Sequence, residues 1–142
     1  MPRGRATATP NRSREEEARA TRERLVDTAL ELFSESGYAA VGTEEIVRRA
    51  ELTRGALYHH FSDKRDLFRA VHERVEQELV GRIAASMDGV TDPWEVLVTG
   101  TRAFLDACED PAVKRIALTD APAVLGWAEW REIDERYGLG LM

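Results

Sequence analysis

The side chains best suited to chemistry lie between Thr43 and Lys64, in the run TEEIVRRAELTRGALYHHFSDK. Arg54, Tyr58, His59, His60 and Lys64 place a guanidinium, a phenol, two imidazoles and an ammonium close together. Such groups donate hydrogen bonds to anionic oxygens, and an arginine fork can take O6 and N7 of a guanine together. Catalysis has less to work with. His59 and His60 are neighbours, and adjacent side chains on a helix point about 100° apart, too divergent to chelate one metal well. The one cysteine, Cys108, has no histidine near it in sequence, and no Gly-rich phosphate loop or metal-ligand spacing is present. The chain is therefore read as a non-enzyme without metal or cofactor.

The elements that must hold these groups can be read from periodicity and capping. Thr43 reads as the N-cap of a short helix, with Glu44 and Glu45 at its positive end and Ile46, Val47 and Ala50 on its apolar side. Glu51-Leu52-Thr53 is a short link, and Thr53 caps a second helix from Arg54 to about His60. That helix is apolar at Ala56, Leu57 and Phe61 and presents Arg54, Tyr58 and His59 on its other side, a design that suits a DNA major groove.

Upstream, Met1–Arg12 reads as a disordered basic arm, whose Arg3, Arg5 and Arg12, with Arg14 beyond, can follow phosphates or enter a minor groove. Ser13 and Glu16 form a capping box for a first helix reaching about Ser36, buried along Leu25, Val26, Ala29, Leu32 and Phe33 and closed by a left-handed Gly37. Downstream, a helix runs from Ser62 or Asp63 to about Met87, a length of about 40 Å. Its buried stripe is Leu67, Phe68, Val71, Val75, Leu79, Ile83 and Met87; Arg69, Glu73, Glu76 and Glu78 read as its solvated face. Asp92-Pro93-Trp94-Glu95 starts a fifth helix to about Glu109, with Trp94, Leu97, Val98, Thr101, Phe104, Leu105 and Cys108 on one side. A short sixth helix spans Ala112 to about Thr119. Ala123–Gly126 reads as a connector, and a seventh helix carries Trp127, Trp130, Ile133 and Tyr137. No strand alternation is sustained, so the fold class is all-α, with the domain boundary inside the fourth helix near residue 72.

Charge agrees with a divided chain. The formal net charge is −6, but residues 1–72 balance at +1 and residues 73–142 at −7. DNA binding needs only a local basic surface. A single cysteine permits no intrachain disulfide, which is compatible with a reducing cytoplasm. No apolar run approaches a membrane span, and no secretory signal follows the N-terminal arginines.

The pattern T-x-x-I-V-x-x-A-x-L-T-R-G-A-L-Y-H-H-F-x-x-K-x-x-L-F, preceded by L-V-D-T-A-L-E-L-F-S-E-S-G-Y, closely resembles the DNA-binding domain of the tetracycline-repressor (TetR) family over Thr21–Val71. The resemblance implies a three-helix helix-turn-helix domain at 13–72 and a partial ligand-binding and dimerisation domain at 73–142. It implies phosphate contacts by Thr43, Tyr58, His60 and Lys64, and base-facing positions at Arg54, Gly55, Ala56 and His59, with Gly55 permitting close approach. It further implies a palindromic DNA operator, cytoplasmic work on the nucleoid, and a small-molecule pocket, for which Trp94, Thr101, Phe104, Cys108, Trp127, Trp130 and Tyr137 are candidates. Family members are usually longer, and their last two helices build the dimer; this chain stops at Met142, before them. Without those helices, apolar surface at Trp127, Trp130, Leu139, Leu141 and Met142 is expected to be exposed. A ligand-responsive repressor is the expected function. The alternatives are a DNA-bound adaptor in chromosome organisation or division control, and an enzyme.

Overall fold

The computed structural model describes residues 10–138. Its elements are α1 (Pro10–Ser36), α2 (Thr43–Arg49), α3 (Arg54–His60), α4 (Lys64–Ser86), α5 (Pro93–Ala107), a π-helix (Val113–Asp120), α6 (Ala121–Leu125) and α7 (Trp127–Gly138). There is no strand among the described residues. The predicted stripe of α1 is buried in full, and Gly37 closes the helix at φ 84°, a left-handed position where a Cβ would be strained.

Local chemistry sets three helix starts where the sequence placed them, with Asp63 rather than Ser62 capping the fourth helix. Thr53 Oγ1 accepts from the Ala56 N–H at 3.1 Å, Asp63 Oδ1 from the Asp66 N–H at 2.8 Å, and Asp92 Oδ2 from the Glu95 N–H at 3.0 Å. Two starts differ. Helix α1 begins at Pro10 rather than after Ser13, because proline at a first helical position loses no hydrogen bond and the chain continues helically through the capping box. The disordered-arm reading for residues 1–9 lies outside the described residues. Helix α2 is capped by extended Gly42 (φ −97°, ψ 158°), so Thr43 is its first helical residue and makes no side-chain cap bond.

Helix α4 is the spine against which α1, α5, the π-helix, α6 and α7 all pack. Leu67, Phe68, Val71, Val75, Leu79 and Ile83 are buried along it. The expected solvated face is only partly so. Glu76 is buried, because α7 folds back over that side; Arg69 and Glu73 are half-buried in ion pairs. His72, one turn before Glu76, is buried as well.

The second half corrects the sequence reading in three places. The sixth helix has π rather than α register, the apolar connector at Ala123–Gly126 is mostly helix α6, and α5 ends at Ala107. The apolar stripe of α5 faces solvent. Trp94 is 70% exposed and Leu97 and Leu105 each 59%, while Ala107 and the half-buried Val96, Gly100 and Ala103 mark the helix's less exposed side. Gly100 permits the close approach of α5 to α4: a Cβ there would sit 2.9 Å from Met87 Sδ.

Candidate nucleic-acid interface

Helix α3 is anchored from beneath. Leu57 is 0% exposed and Phe61 is buried, continuous with Leu25, Val26, Phe33, Val41 and Ile46. An amphipathic helix of seven residues would not hold its shape alone, so this burial fixes its outer face. The turn before it is a Schellman closure: the Glu51 N–H donates to the Arg48 carbonyl at 3.1 Å and the Leu52 N–H to the Val47 carbonyl at 2.9 Å. Glu51 supplies the left-handed residue (φ 56°), a conformation more often given to glycine.

The outer face carries the residues singled out from the sequence. Arg54, Gly55, Tyr58 and His59 are exposed, and Ala56 and His60 half-exposed. The Arg54 guanidinium lies 5.6 Å from the Tyr58 ring centroid, which pre-orders both side chains without consuming their hydrogen-bonding capacity. The His59 and His60 rings meet edge-on at 5.0 Å. Burial, then the nearby His59 and Arg22 charges, lower the His60 pKa, which favours the neutral ring. A neutral imidazole still offers one N–H to an oxygen.

Lys64 and Thr43 flank this helix at the first residues of α4 and α2. The Lys64 ammonium rests 4.0 Å from the Tyr38 ring centroid, and burial lowers its pKa. Tyr38 is itself wedged against Phe68 at 4.9 Å and Phe33 at 5.6 Å, so the platform under Lys64 is rigid. One cation was missed from the sequence: Arg22 of α1 lies 5.2 Å from the Phe61 ring centroid, beside His60. Its only signal was its place on α1, one turn before the buried Leu25 and Val26. Hydrogen-bond donors on four helices thus flank one another, with α3 between α2 and α4 in the chain.

The seven candidate pocket residues do not come together. A groove of about 570 Å³ runs between α4, α5 and α7, lined by Ile83, Met87, Val96, Leu97, Gly100, Thr101, Phe104, Asp134, Glu135 and Gly138. Only Thr101 and Phe104 were among the candidates. Trp94 and Trp127 are exposed, and Cys108 is half-buried off the groove. Trp130 stacks on Trp127 at 4.9 Å and donates its indole N–H to the Ala117 carbonyl; the Tyr137 hydroxyl accepts from Gln77 Nε2 at 3.2 Å. Periodicity placed these residues on their helices correctly, but not the helices around one cavity. No group of three His, Cys, Asp or Glu suited to a metal occurs among the described residues. No helix among them is long and apolar enough to cross a membrane.

Comparison with known proteins agrees with this geometry. Residues 25–71 match the family model described as bacterial regulatory proteins, tetR family, and residues 94–142 match tetracyclin repressor-like, C-terminal domain. The Transposon Tn10 TetC protein of Escherichia coli is 32% identical over 126 residues, covering 89% of this chain and 64% of its own. The HTH-type transcriptional regulator TtgW of Pseudomonas putida is 35% identical over 101 residues, covering 71% of this chain and 72% of its own. The crystal structure of a TetR-family transcriptional regulator from Pectobacterium atrosepticum superposes with a TM-score of 0.72 at 39% identity, over 89% of this chain and 68% of that one. The chain thus spans about two thirds of the length of these relatives.

Proposed function

The chain belongs to the TetR family of bacterial regulatory proteins, and we propose that it is a sequence-specific DNA-binding transcriptional regulator acting as a ligand-responsive repressor. The observation that carries this reading is the outer face of α3. Arg54, Tyr58 and His59 are exposed on a buried anchor, and none of the three makes a side-chain hydrogen bond among the described residues. Groups held rigid yet unsatisfied await an external partner with acceptors, and a duplex groove supplies them.

In this reading residues 13–72 read DNA and 73–142 regulate. Arg54 takes a guanine edge, with Gly55, Ala56 and His59 shaping the rest of the base-facing surface. Thr43, Tyr58, His60 and Lys64 hold phosphates and set the register. Two copies read a palindromic operator in the cytoplasm, since linking two units makes the second contact intramolecular and raises apparent affinity by about 10²–10⁴. The groove between α4, α5 and α7 takes the effector. Because α4 borders it and also begins at Lys64, an effector that prefers a tilted α4 lowers DNA affinity by its differential affinity for that state.

Genome-wide binding with transcript profiling in a deletion strain tests the reading. Occupied palindromic sites whose neighbouring genes rise on deletion are expected. Occupied sites without any change in expression would favour the adaptor reading instead. Tryptophan fluorescence, titrated with candidate effectors and paired with operator binding, tests the groove. An effector that quenches fluorescence and leaves DNA affinity unchanged would sink the switch.

A further inference from the structure

We propose that the π register of Val113–Asp120 is a positioning device. It aligns Arg115 and Asp120 on the turn that feeds the reading helices, and it is pinned there by the Trp130 indole. The DNA-reading role of that turn rests on the function proposed above; the device itself rests on hydrogen bonds internal to the chain.

The first link is geometric. Arg115 Nη1 donates to the Glu35 carbonyl at 2.8 Å, and Asp120 Oδ2 accepts from the Tyr38 N–H at 2.9 Å. Both therefore grip the same turn, the end of α1 around left-handed Gly37, whose far side leads directly into α2. A cation meets a terminal carbonyl of α1 and a carboxylate meets an amide, so both bonds are charge-assisted, and the Arg115 cation also suits the negative end of the helix dipole. Arg115 and Asp120 are five residues apart. At α-helical pitch, five residues leave two side chains about 140° apart. In π register, where residue i bonds i+5, they stand one turn above each other and reach one target.

The second link explains why the segment adopts this register. The Ala121 N–H donates to the Ile116 carbonyl, five residues back. The next donor in the ladder would be residue 122, aimed at Ala117, but Pro122 has no N–H. The Trp130 Nε1–H, arriving from α7, donates to the Ala117 carbonyl at 3.0 Å and fills that place. In α register the Pro122 ring would instead clash with the Leu118 carbonyl. Proline thus disfavours the α alternative, and Trp130 satisfies the acceptor that proline leaves open in the π form. The Thr119 hydroxyl adds a bond to the Lys114 carbonyl, again five residues back.

A chain of named contacts now joins the regulatory half to the reading unit: Trp130, the Ala117 carbonyl, the π ladder, Arg115 with Asp120, then the Glu35 carbonyl and the Tyr38 amide. Tyr38 is also the platform under Lys64. Displacing Trp130 orphans the Ala117 carbonyl, weakens the π form and loosens that platform.

The test uses the full chain, isotope-labelled, observed by NMR without DNA. In the wild type the Ala121 amide shows its through-hydrogen-bond coupling to the Ile116 carbonyl. Pro122→Ala should move that coupling to the Ala117 carbonyl. It should also speed Tyr38 amide exchange about tenfold or more, the loss expected from one charge-assisted hydrogen bond. Asp120→Ala should keep the Ile116 coupling and show the same acceleration. Trp130→Phe, which keeps the ring and removes the donor, should weaken the Ile116 coupling and accelerate Tyr38, and it serves as the second route if Pro122→Ala does not fold. Retention of both the Ile116 coupling and Tyr38 protection in Trp130→Phe would overturn the proposal. So would a register change in Pro122→Ala with Tyr38 protection intact. Exchange at Tyr38 needs no DNA, so loss of the DNA-binding reading would leave this result standing.

Discussion

Helices α3 and α5 each leave one face to solvent, and the two faces are opposites. α3 turns Leu57 inward, with Phe61 just beyond it, and presents a guanidinium, a phenol and an imidazole. α5 turns small residues toward the spine and presents Trp94, Leu97 and Leu105. The outer groups of α3 are well hydrated and lose little by being exposed; their position is fixed by what lies beneath. The outer groups of α5 lose hydrophobic stabilisation of about 25 cal/mol per Å² while they remain in water. One helix is a finished surface awaiting a polar partner, the other an apolar surface with no cover among the described residues.

The sharpest break of this comparison is a matched pair of truncations. Leu57→Ala removes a fully buried side chain and should cost about 2–5 kcal/mol in denaturant unfolding. Leu97→Ala, identical chemistry on the exposed stripe, should change stability by less than about 0.5 kcal/mol. Equal losses would mean that α5 is covered in solution and would end the contrast.

Next in size are the polar groups proposed to read DNA. Arg54→Ala should cost about 1–3 kcal/mol in operator binding and relax preference at one base position per half-site. Lys64→Ala should weaken binding to every sequence alike and lower the salt slope by about one unit. Salt-dependent titrations on operator and scrambled duplexes separate the two, and exchanged behaviours would overturn the assignment. A smaller effect belongs to the turn beneath them. Glu51 holds a left-handed conformation that costs a non-glycine residue about 1–2 kcal/mol. Its pairing with Arg24 at 3.4 Å is solvent-exposed and worth little. Glu51→Gly should therefore stabilise the chain by about 0.5–1 kcal/mol, once glycine's extra unfolded-state freedom is set against the relieved strain. Thermal unfolding would show it, and a lowered midpoint would speak against strain at this turn.

What could be read in advance follows from how local each cause is. The caps at Thr53 and Asp92, the left-handed Gly37 and the choice of Asp63 from the offered pair Ser62 and Asp63 depend on three or four adjacent residues, and all formed within that reading. Thr43 was misplaced by one residue because Gly42 can extend at that boundary equally well, and the sequence offers no further signal between them. The buried faces of α1 and α3 were legible because the helices that cover them lie close in sequence. Glu76 was not. Its burial depends on α7 returning across α4 from nearly sixty residues away. The π register was hidden for the same reason: Pro122 and Trp130 explain it only once α7 brings the indole to the Ala117 carbonyl. The exposure of the α5 stripe was not legible because periodicity reports that a helix is two-faced and is silent on which face is covered.

The smallest expected effect is an apparent absence, and it comes from the least legible pair. His72 and Glu76 are buried one turn apart on α4, with His72 Nε2 and Glu76 Oε1 3.9 Å apart, too far to hydrogen-bond. Neither ring nitrogen of His72 has a partner among the described residues. Burial lowers the His72 pKa to about 4 and raises that of Glu76 to about 7, with Asp134 of α7 adding repulsion at Glu76. Between pH 4 and the ordinary histidine value of 6.5, the unfolded chain binds a proton at His72 that the folded chain refuses. Stability from that group therefore rises with pH across this window. Between the ordinary carboxyl value of 4.5 and pH 7, the folded chain keeps a proton on Glu76 that the unfolded chain has released. Stability from that group falls with pH. The windows overlap from 4.5 to 6.5 with opposite slopes, so the pair should contribute almost nothing to the pH dependence of the wild type there. Substitution unmasks each half. Glu76→Gln should leave stability rising across pH 4.5–6.5 relative to wild type, and His72→Leu should leave it falling across the same range. Denaturant midpoints of the three proteins along a pH series measure this directly. Parallel profiles would show that at least one of the two side chains titrates as it does in water, and would remove the buried pair from the account of α4.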